Sequence, residues 1–177
     1  MISILNFSGR DRGNCNAVCN YILQSYTNKT NICARVISVD IPPCNSCDYE
    51  CLREGTSCKD FHIIESLMDQ LIRSEMIYYV LPNYCGFPCA NYFAFNERTV
   101  GYFNKDQACL EKYYSIEKKF IIISNSENVC FQIAMQQQCA SPEVLYLKTK
   151  KYARNSISGD LMDSADARAD LEEFLGL

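Results

Sequence analysis

Short apolar runs alternate along the chain with amphipathic segments, and this alternation predicts a regular succession of strands and helices. Runs of apolar and β-branched residues predict strands over 2–7, 33–39, 76–81, 120–123 and 144–147. Apolar positions three and four residues apart predict helices over 15–25, 61–75, 90–98, 128–138 and 161–175. Each predicted strand is therefore followed by a helix.

The strand runs are apolar without interruption, which is typical of a parallel sheet that is covered by helices on both sides. The simplest arrangement is one α/β domain over residues 1–177, a three-layer sandwich with five parallel strands in the order 2-1-3-4-5. Ligands in such sheets bind beyond the carboxyl ends of the strands, near strands 1 and 3. The loops 8–16, 82–89 and 124–128 therefore form the predicted site.

Composition and charge narrow the class of protein. The 177 residues are 48% hydrophobic and 21% charged, as in a globular domain. The net charge of −4 argues against a nucleic-acid partner. The single histidine, His62, excludes sites that need two or three histidines. No apolar run is long enough for a membrane helix, and Met1–Phe7 lacks the basic start of a signal peptide, so we expect a cytoplasmic chain with reduced thiols.

The loop after the first strand has the composition of an anion-binding loop. Ser8, Arg10 and Arg12 are hydrogen-bond donors, and they precede the N-terminus of a predicted helix. The loop lacks the Gly-Lys-Ser/Thr of a Walker A motif and the pattern Gly-x-Gly-x-x-Gly. An ordinary turn with exposed arginines is the alternative.

Two of these loops resemble the NADPH-dependent FMN reductases, a family with a flavodoxin-like fold. The family's first loop reads Ser-Gly-Ser-Pro-Arg-x-x-Gly-Asn-Thr, and Ser8, Gly9, Arg12 and Asn16 match it without gaps. Arg10 replaces a serine and Ala17 a threonine, so two hydroxyls are lost, and Cys15 replaces the glycine. The resemblance implies that Arg10, Arg12 and Asn16 bind the FMN phosphate and that Ser8, Asn14 and Ala17 also belong to the cofactor site.

The loop after the third strand resembles the family's pattern Pro-x-Tyr-x-x-x-x-Ser-x-x-x-Lys-x-Phe-x-Asp-Arg. Pro82, Tyr84, Phe95 and Arg98 match without gaps, whereas Cys89 replaces the serine. The resemblance implies that the flavin ring is bordered by Pro82, Asn83, Tyr84, Cys85 and Gly86. Ser124 suits the pyrimidine side of a flavin, although a plain helix cap explains it equally well. The resemblance covers residues 1–100 and is thinner beyond them.

Four of the 12 cysteines, Cys44, Cys47, Cys51 and Cys58, are clustered in a cysteine-rich loop at 40–60. Four thiolates at this spacing suit a [4Fe–4S] cluster or a tetrahedral zinc ion. An alternative ligand set for zinc is three of these cysteines together with His62. An iron–sulfur flavoprotein branch of the family carries Cys-x2-Cys-x2-Cys…Cys at this place, which implies [4Fe–4S] beside FMN. Here three residues separate Cys47 from Cys51, and a loop of free cysteines is the alternative.

The resemblance implies an FMN-dependent oxidoreductase, an enzyme in which the flavin does the chemistry and no side chain need act as acid or base. NAD(P)H would donate a hydride, or a ferredoxin-like partner would deliver single electrons through the cluster, to reduce a small molecule. Family members are commonly dimers or tetramers, so a homodimer or homotetramer is expected. Two alternatives stay open: a one-electron flavodoxin-like carrier without NAD(P)H activity, and a non-enzymatic zinc module with a degenerate flavin site.

Overall fold

Five parallel strands form the centre of the computed structural model, which describes residues 1–29, 32–44, 48–56, 58, 60–104, 106–125 and 129–177. The strands are β1 (Ile2–Asn6), β2 (Ala34–Ser38), β3 (Met76–Pro82), β4 (Glu117–Ser124) and β5 (Glu143–Lys148). Ile4 of β1 lies opposite Val36 of β2 and Tyr78 of β3. The order is β2-β1-β3-β4-β5, with every neighbouring pair parallel, so the predicted sheet is confirmed.

Helices connect the strands and cover the sheet. They are α1 (Asn14–Lys29), α2 (Glu50–Arg53), α3 (His62–Leu71), α4 (Ala90–Phe103), α5 (Gln107–Ser115), α6 (Val129–Met135) and α7 (Ala165–Leu175). Two 3₁₀ turns, Thr149–Tyr152 and Leu161–Asp163, lie between β5 and α7. Across the described ranges, no helix is both long and apolar enough to cross a membrane.

The two faces of the sheet bury separate cores, because successive side chains of a strand point to opposite faces. Tyr79 belongs to a core that includes residues of α3, α4 and α6, whereas Tyr78 belongs to a core with residues of α1 and α7. In β1, Leu5 likewise lies in the first of these cores and Ile4 in the second. All four side chains are at most 1% exposed, which explains why the strands read as uninterrupted apolar runs.

Several elements differ from the sequence prediction, and three of these differences have a local cause. The predicted helix 161–175 is divided at Ser164, which caps α7 by accepting a hydrogen bond from the Ala167 N–H. Helix α5 was not predicted, and Asp106 caps its N-terminus. β4 begins at Glu117 instead of residue 120 because Lys118 is buried, and its ammonium donates to the carbonyls of Tyr113 and Ile116.

Candidate functional site

One cavity of about 520 Å³ joins the loops that follow β1, β3 and β4. This volume lies within the range of small-molecule sites, and the cavity lies at the predicted end of the sheet. The predicted residues that line it are Ser8, Arg10, Asn14, Pro82, Asn83, Tyr84, Cys85, Gly86 and Ser124. Three other predicted residues, Arg12, Asn16 and Ala17, are not part of its wall, and their contact with a cofactor stays a prediction.

Side-chain hydrogen bonds give the loop after β1 a compact shape. The Ser8 N–H donates to Asn6 Oδ1 at 3.0 Å, and the Arg10 N–H donates to Ser8 Oγ at 3.2 Å. Asn16 Nδ2 donates to the Asp11 carbonyl at 2.9 Å, so this side chain shapes the loop from the helix. The loop leads directly into α1, whose first-turn N–H groups have no partners within the helix and carry the positive end of its dipole. Together with Arg10, this end of the cavity attracts an anion.

Cys15 lies in the cavity wall where the resembled family has glycine. The thiol is 4% exposed, and burial raises its pKa to about 12, with a smaller contribution from nearby Cys89. The side chain is therefore uncharged at neutral pH. A neutral thiol does not repel an anion, so the replacement of glycine leaves the electrostatics of the loop intact.

A tight turn shapes the loop after β3. Tyr84 and Phe87 exchange two backbone hydrogen bonds of 3.0 Å, and Cys85 and Gly86 between them both have positive φ. This is the geometry of a type I′ turn, in which glycine is favoured and a cysteine costs about 1 kcal/mol. Tyr84 is 48% exposed and lines the cavity. Backbone strain at a cavity wall is typical of ligand-binding loops.

Asn83 connects the loop after β3 with the end of β4. Its backbone N–H donates to the Ile123 carbonyl at 3.0 Å, and its side-chain amide donates to Ser124 Oγ. Its Oδ1 accepts from the Gly86 N–H at 2.8 Å. The predicted ring-binding loop and Ser124 are thus held together by one side chain.

Some wall residues were not predicted individually as cofactor ligands. Gly13, Cys15 and Asn125 lie within the predicted loops, whereas Ile123, Ser156 and Ile157 lie outside them. Ser156 and Ile157 lie beyond β5, far along the chain from the loops that the strand order indicates. The composition of the basic stretch that precedes them, 148–154, predicts a solvated loop, with contact to an NADPH phosphate as the alternative. The structure instead forms a 3₁₀ turn there, in which Thr149 and Tyr152 are buried. No local pattern in the sequence marks Ser156 and Ile157 as part of a site.

The cysteine-rich loop contributes to a second, separate cavity of about 210 Å³. Cys44, Cys51 and Cys58 line it together with Arg98 and Gly101, whereas Cys47 lies outside the described residues. A Cβ atom added to Gly101 would lie 3.4 Å from Cys58 Cβ and 3.9 Å from Cys51 Sγ, so the glycine leaves space beside the thiols. Within the described ranges, no three His, Cys, Asp or Glu side chains converge well enough to hold a metal ion.

The chain matches no protein-family model, and none of the curated proteins is similar to it in sequence. Solved structures are similar to it in fold. The Trp repressor binding protein of Bacillus subtilis has a TM-score of 0.66 at 10% identity, covering 99% of this chain and 97% of that chain. FerB of Paracoccus denitrificans, a flavoenzyme NAD(P)H:(acceptor) oxidoreductase, has a TM-score of 0.59 at 8% identity, covering 99% and 94%.

RosB, solved with bound 8-demethyl-8-formylriboflavin-5'-phosphate, has a TM-score of 0.59 at 12% identity, covering 97% of this chain and 79% of that chain. The chain has the flavodoxin-like fold. The expected similarity to the FMN reductases is thereby confirmed at the level of the fold. Such low identities show the fold alone, because one fold can carry different cofactors and reactions.

Proposed function

We propose that the protein binds FMN and is an NAD(P)H-dependent oxidoreductase. The observation that carries this proposal is the single cavity in which the loop into α1, the turn at 84–87 and the end of β4 meet. The loop into α1 offers an anion site for the flavin phosphate. The turn offers a wall of apolar side chains and backbone for the ring, and the end of β4 offers small polar groups for the pyrimidine. Similarity in fold to a flavoenzyme NAD(P)H oxidoreductase and to a flavin-phosphate complex supports the proposal.

In this proposal the phosphate binds at the start of α1. The N–H groups of the first helical turn and the guanidinium of Arg10 donate to it, and neutral Cys15 allows the anion to approach. Arg12 is exposed in the same loop and adds longer-range electrostatic attraction for the phosphate. Asn16 shapes the loop through its hydrogen bond to the Asp11 carbonyl, and contact of Asn16 and Ala17 with the cofactor stays a prediction.

The ring binds along Pro82, Asn83, Tyr84, Cys85 and Gly86, with Ser124 and Asn125 near its polar edge. Bound FMN supplies the hydride and electron chemistry, so the chain needs only to bind and orient its substrates. The type I′ turn fixes the backbone on which the ring rests, and the bonds of Asn83 fix the distance between the two walls. NAD(P)H is the proposed hydride donor, and a small molecule is the proposed acceptor.

The test begins with apoprotein and free FMN. We expect quenching of the flavin fluorescence with saturable binding, followed by anaerobic oxidation of NADH or NADPH by the reconstituted protein. FMN binding without consumption of either nucleotide would indicate the one-electron carrier instead. Absence of flavin binding by the folded apoprotein, with folding checked by circular dichroism, would disprove the proposal.

We further propose that the cavity lined by Cys44, Cys51 and Cys58 binds a [4Fe–4S] cluster, with Cys47 as the fourth ligand. The support is the shared cavity, the space at Gly101 and the buried guanidinium of Arg98, which offsets the negative charge of thiolates. The three described thiols do not converge on one point, so Cys47 would have to complete the site. A cluster would let a ferredoxin-like partner deliver single electrons.

Metal analysis after anaerobic purification tests the cysteine-lined cavity. We expect iron and acid-labile sulfide in the wild type and their loss in Cys51→Ser, because Cys51 is buried against the cavity. Cys33→Ser is the matched control, since Cys33 is exposed and lies outside this loop. Zinc in place of iron, or equal metal content in both variants, would contradict the cluster.

We also propose that the protein forms a homodimer or homotetramer. Phe87, Phe93 and Ile133 are 53%, 44% and 61% exposed, and they line one cleft of about 560 Å³ beside the ring-binding loop. Apolar clusters of this kind are typical of association surfaces. Sedimentation velocity should give a larger species for the wild type than for Ile133→Glu, and a monomeric wild type would contradict the assembly.

A further inference from the structure

We infer that the loop after β5, residues 153–160, is part of the cofactor site: Ser156 donates a hydrogen bond to the flavin phosphate, and Asn14 is the positioning residue that holds this loop in place. The inference rests on the proposed binding of FMN. It assigns a role to a loop that neither the strand order nor the resembled family motifs indicate. Its basis is the way this loop is attached to the loop that precedes α1.

Asn14 joins the two loops across more than 140 residues of sequence. The side chain is 3% exposed, and its Nδ2 donates to the carbonyl of Asn155 at 2.8 Å. Its Oδ1 accepts from the backbone N–H of Leu161 at 3.1 Å. One buried amide therefore holds both ends of the segment that carries Ser156 and Ile157, and a buried amide with both groups paired is costly to displace.

The remaining contacts give the segment a fixed shape. The Ile157 N–H donates to Asn155 Oδ1 at 3.0 Å, and Ser158 Oγ donates to Asp160 Oδ1 at 2.8 Å. Gly159 has a φ of +78°, and a Cβ atom added there would lie 3.4 Å from the Arg12 carbonyl oxygen and 3.6 Å from the Gly13 carbonyl carbon. The segment thus packs directly against the backbone of the loop that precedes α1, and the positive φ at position 159 favours glycine there.

The position of Ser156 follows from this packing. Ser156 and Ile157 line the same cavity as Ser8, Arg10 and Gly13, which belong to the loop that forms the proposed anion site. The first loop has lost two hydroxyls relative to the resembled motif, at Arg10 and Ala17. Ser156 offers a hydroxyl donor from a different part of the chain, and a hydroxyl that donates to a phosphate forms a strong, charge-assisted hydrogen bond.

The experiment compares FMN with riboflavin, which lacks the phosphate. Dissociation constants for both flavins are measured by fluorescence quenching on the apoproteins of wild type, Ser156→Ala and Ser141→Ala. We expect Ser156→Ala to weaken FMN binding by about tenfold and to leave riboflavin binding unchanged. Ser141→Ala is the matched control, because Ser141 is an exposed serine outside this loop and outside the cavity wall, so both affinities should stay as in the wild type.

A double-mutant cycle tests the role of Asn14. Asn14→Ala releases the loop, so adding Ser156→Ala to it should cost little further FMN affinity; independent effects that add up would contradict the coupling. Thermal unfolding of the apoproteins shows whether each variant is folded, and Ser156→Ala by itself tests the phosphate contact. If Ser156→Ala changes neither affinity, or changes both equally, this inference is overturned while FMN binding stands. If the wild type binds no FMN, the proposed function fails with it.

Discussion

Arg98 Nη2 donates to the carbonyl of Pro43 at 2.9 Å and so attaches α4 to the start of the cysteine-rich loop. The same guanidinium donates from Nε to the Pro42 carbonyl at 3.0 Å, and its Nη1 lies 3.4 Å from the carboxylate of Asp60. The side chain is 4% exposed. One buried cation therefore holds both ends of the segment that carries Cys44, Cys51 and Cys58.

The first prediction concerns this arginine. Arg98→Lys keeps the charge but loses the planar fork, so it leaves buried carbonyls unpaired and should lower the free energy of unfolding by about 2–4 kcal/mol. Arg73→Lys is the control, because Arg73 is exposed and should change stability by less than about 0.5 kcal/mol. Urea unfolding of the two variants and the wild type gives the values. Equal stability in both variants would show that the bonds of Arg98 contribute nothing.

The second prediction separates the two arginines of the phosphate loop. Arg10 lines the cavity and Arg12 does not, so Arg10→Ala should weaken FMN binding by about tenfold and Arg12→Ala by much less. Fluorescence titration at low and high salt checks this, because longer-range attraction by Arg12 should disappear at high salt. A larger loss in Arg12→Ala would place the phosphate outside the cavity described above.

The third prediction concerns two glycines with positive φ. Gly159→Ala and Gly176→Ala both force alanine into the left-handed region, at a cost of about 1–2 kcal/mol in stability. Only the alanine at 159 meets the backbone of the phosphate loop, because space around Gly176 is open. Both variants should therefore melt at lower temperature, but only Gly159→Ala should also weaken FMN binding. Unchanged affinity in Gly159→Ala would mean that the loop after β5 moves without affecting the cofactor.

The fourth prediction follows from the buried thiol of Cys15. Burial raises its pKa from 9.0 to about 12, so between these values the unfolded chain loses a proton that the folded chain retains. The thiol therefore stabilises the fold fully below pH 9, and this contribution is lost as the pH rises toward 12, by up to about 1.4 kcal/mol per pH unit. Urea unfolding of the apoprotein under reducing conditions at pH 8, 9 and 10 measures the slope.

Cys15→Ala should reduce the alkaline loss of stability, whereas the exposed Cys33→Ala should not. An unchanged slope in Cys15→Ala would show that the thiol titrates at its ordinary pKa in the folded protein. The remaining slope in this variant is expected, because burial also raises the pKa of the neighbouring Cys19.

Most of the sheet could be predicted because its strands are buried on both faces. An uninterrupted apolar run such as 76–81 indicates a strand that is buried on both faces. Because such runs alternate with segments of helical spacing, a doubly wound sheet is the simplest arrangement. The start of β4 could not be predicted, because Lys118 is a charged residue whose burial depends on the carbonyls at the end of α5. Helix α5 was not predicted because apolar and polar residues are mixed along it. Tyr113 is the side chain that this helix buries.

The sequence by itself determined the alternation of doubly buried strands with helices, because local periodicity records which faces are buried. The strand order and the three loops near the carboxyl ends of β1, β3 and β4 then followed from the common arrangement of such sheets. Only the tertiary structure decided that Arg10 lines the cavity while Arg12 does not, and that Ser156 belongs to its wall. These facts depend on contacts such as that of Asn14 with Asn155, between residues far apart in the chain. Such contacts have no local pattern, since the packing of complete elements places them, and so they appear only in the folded molecule.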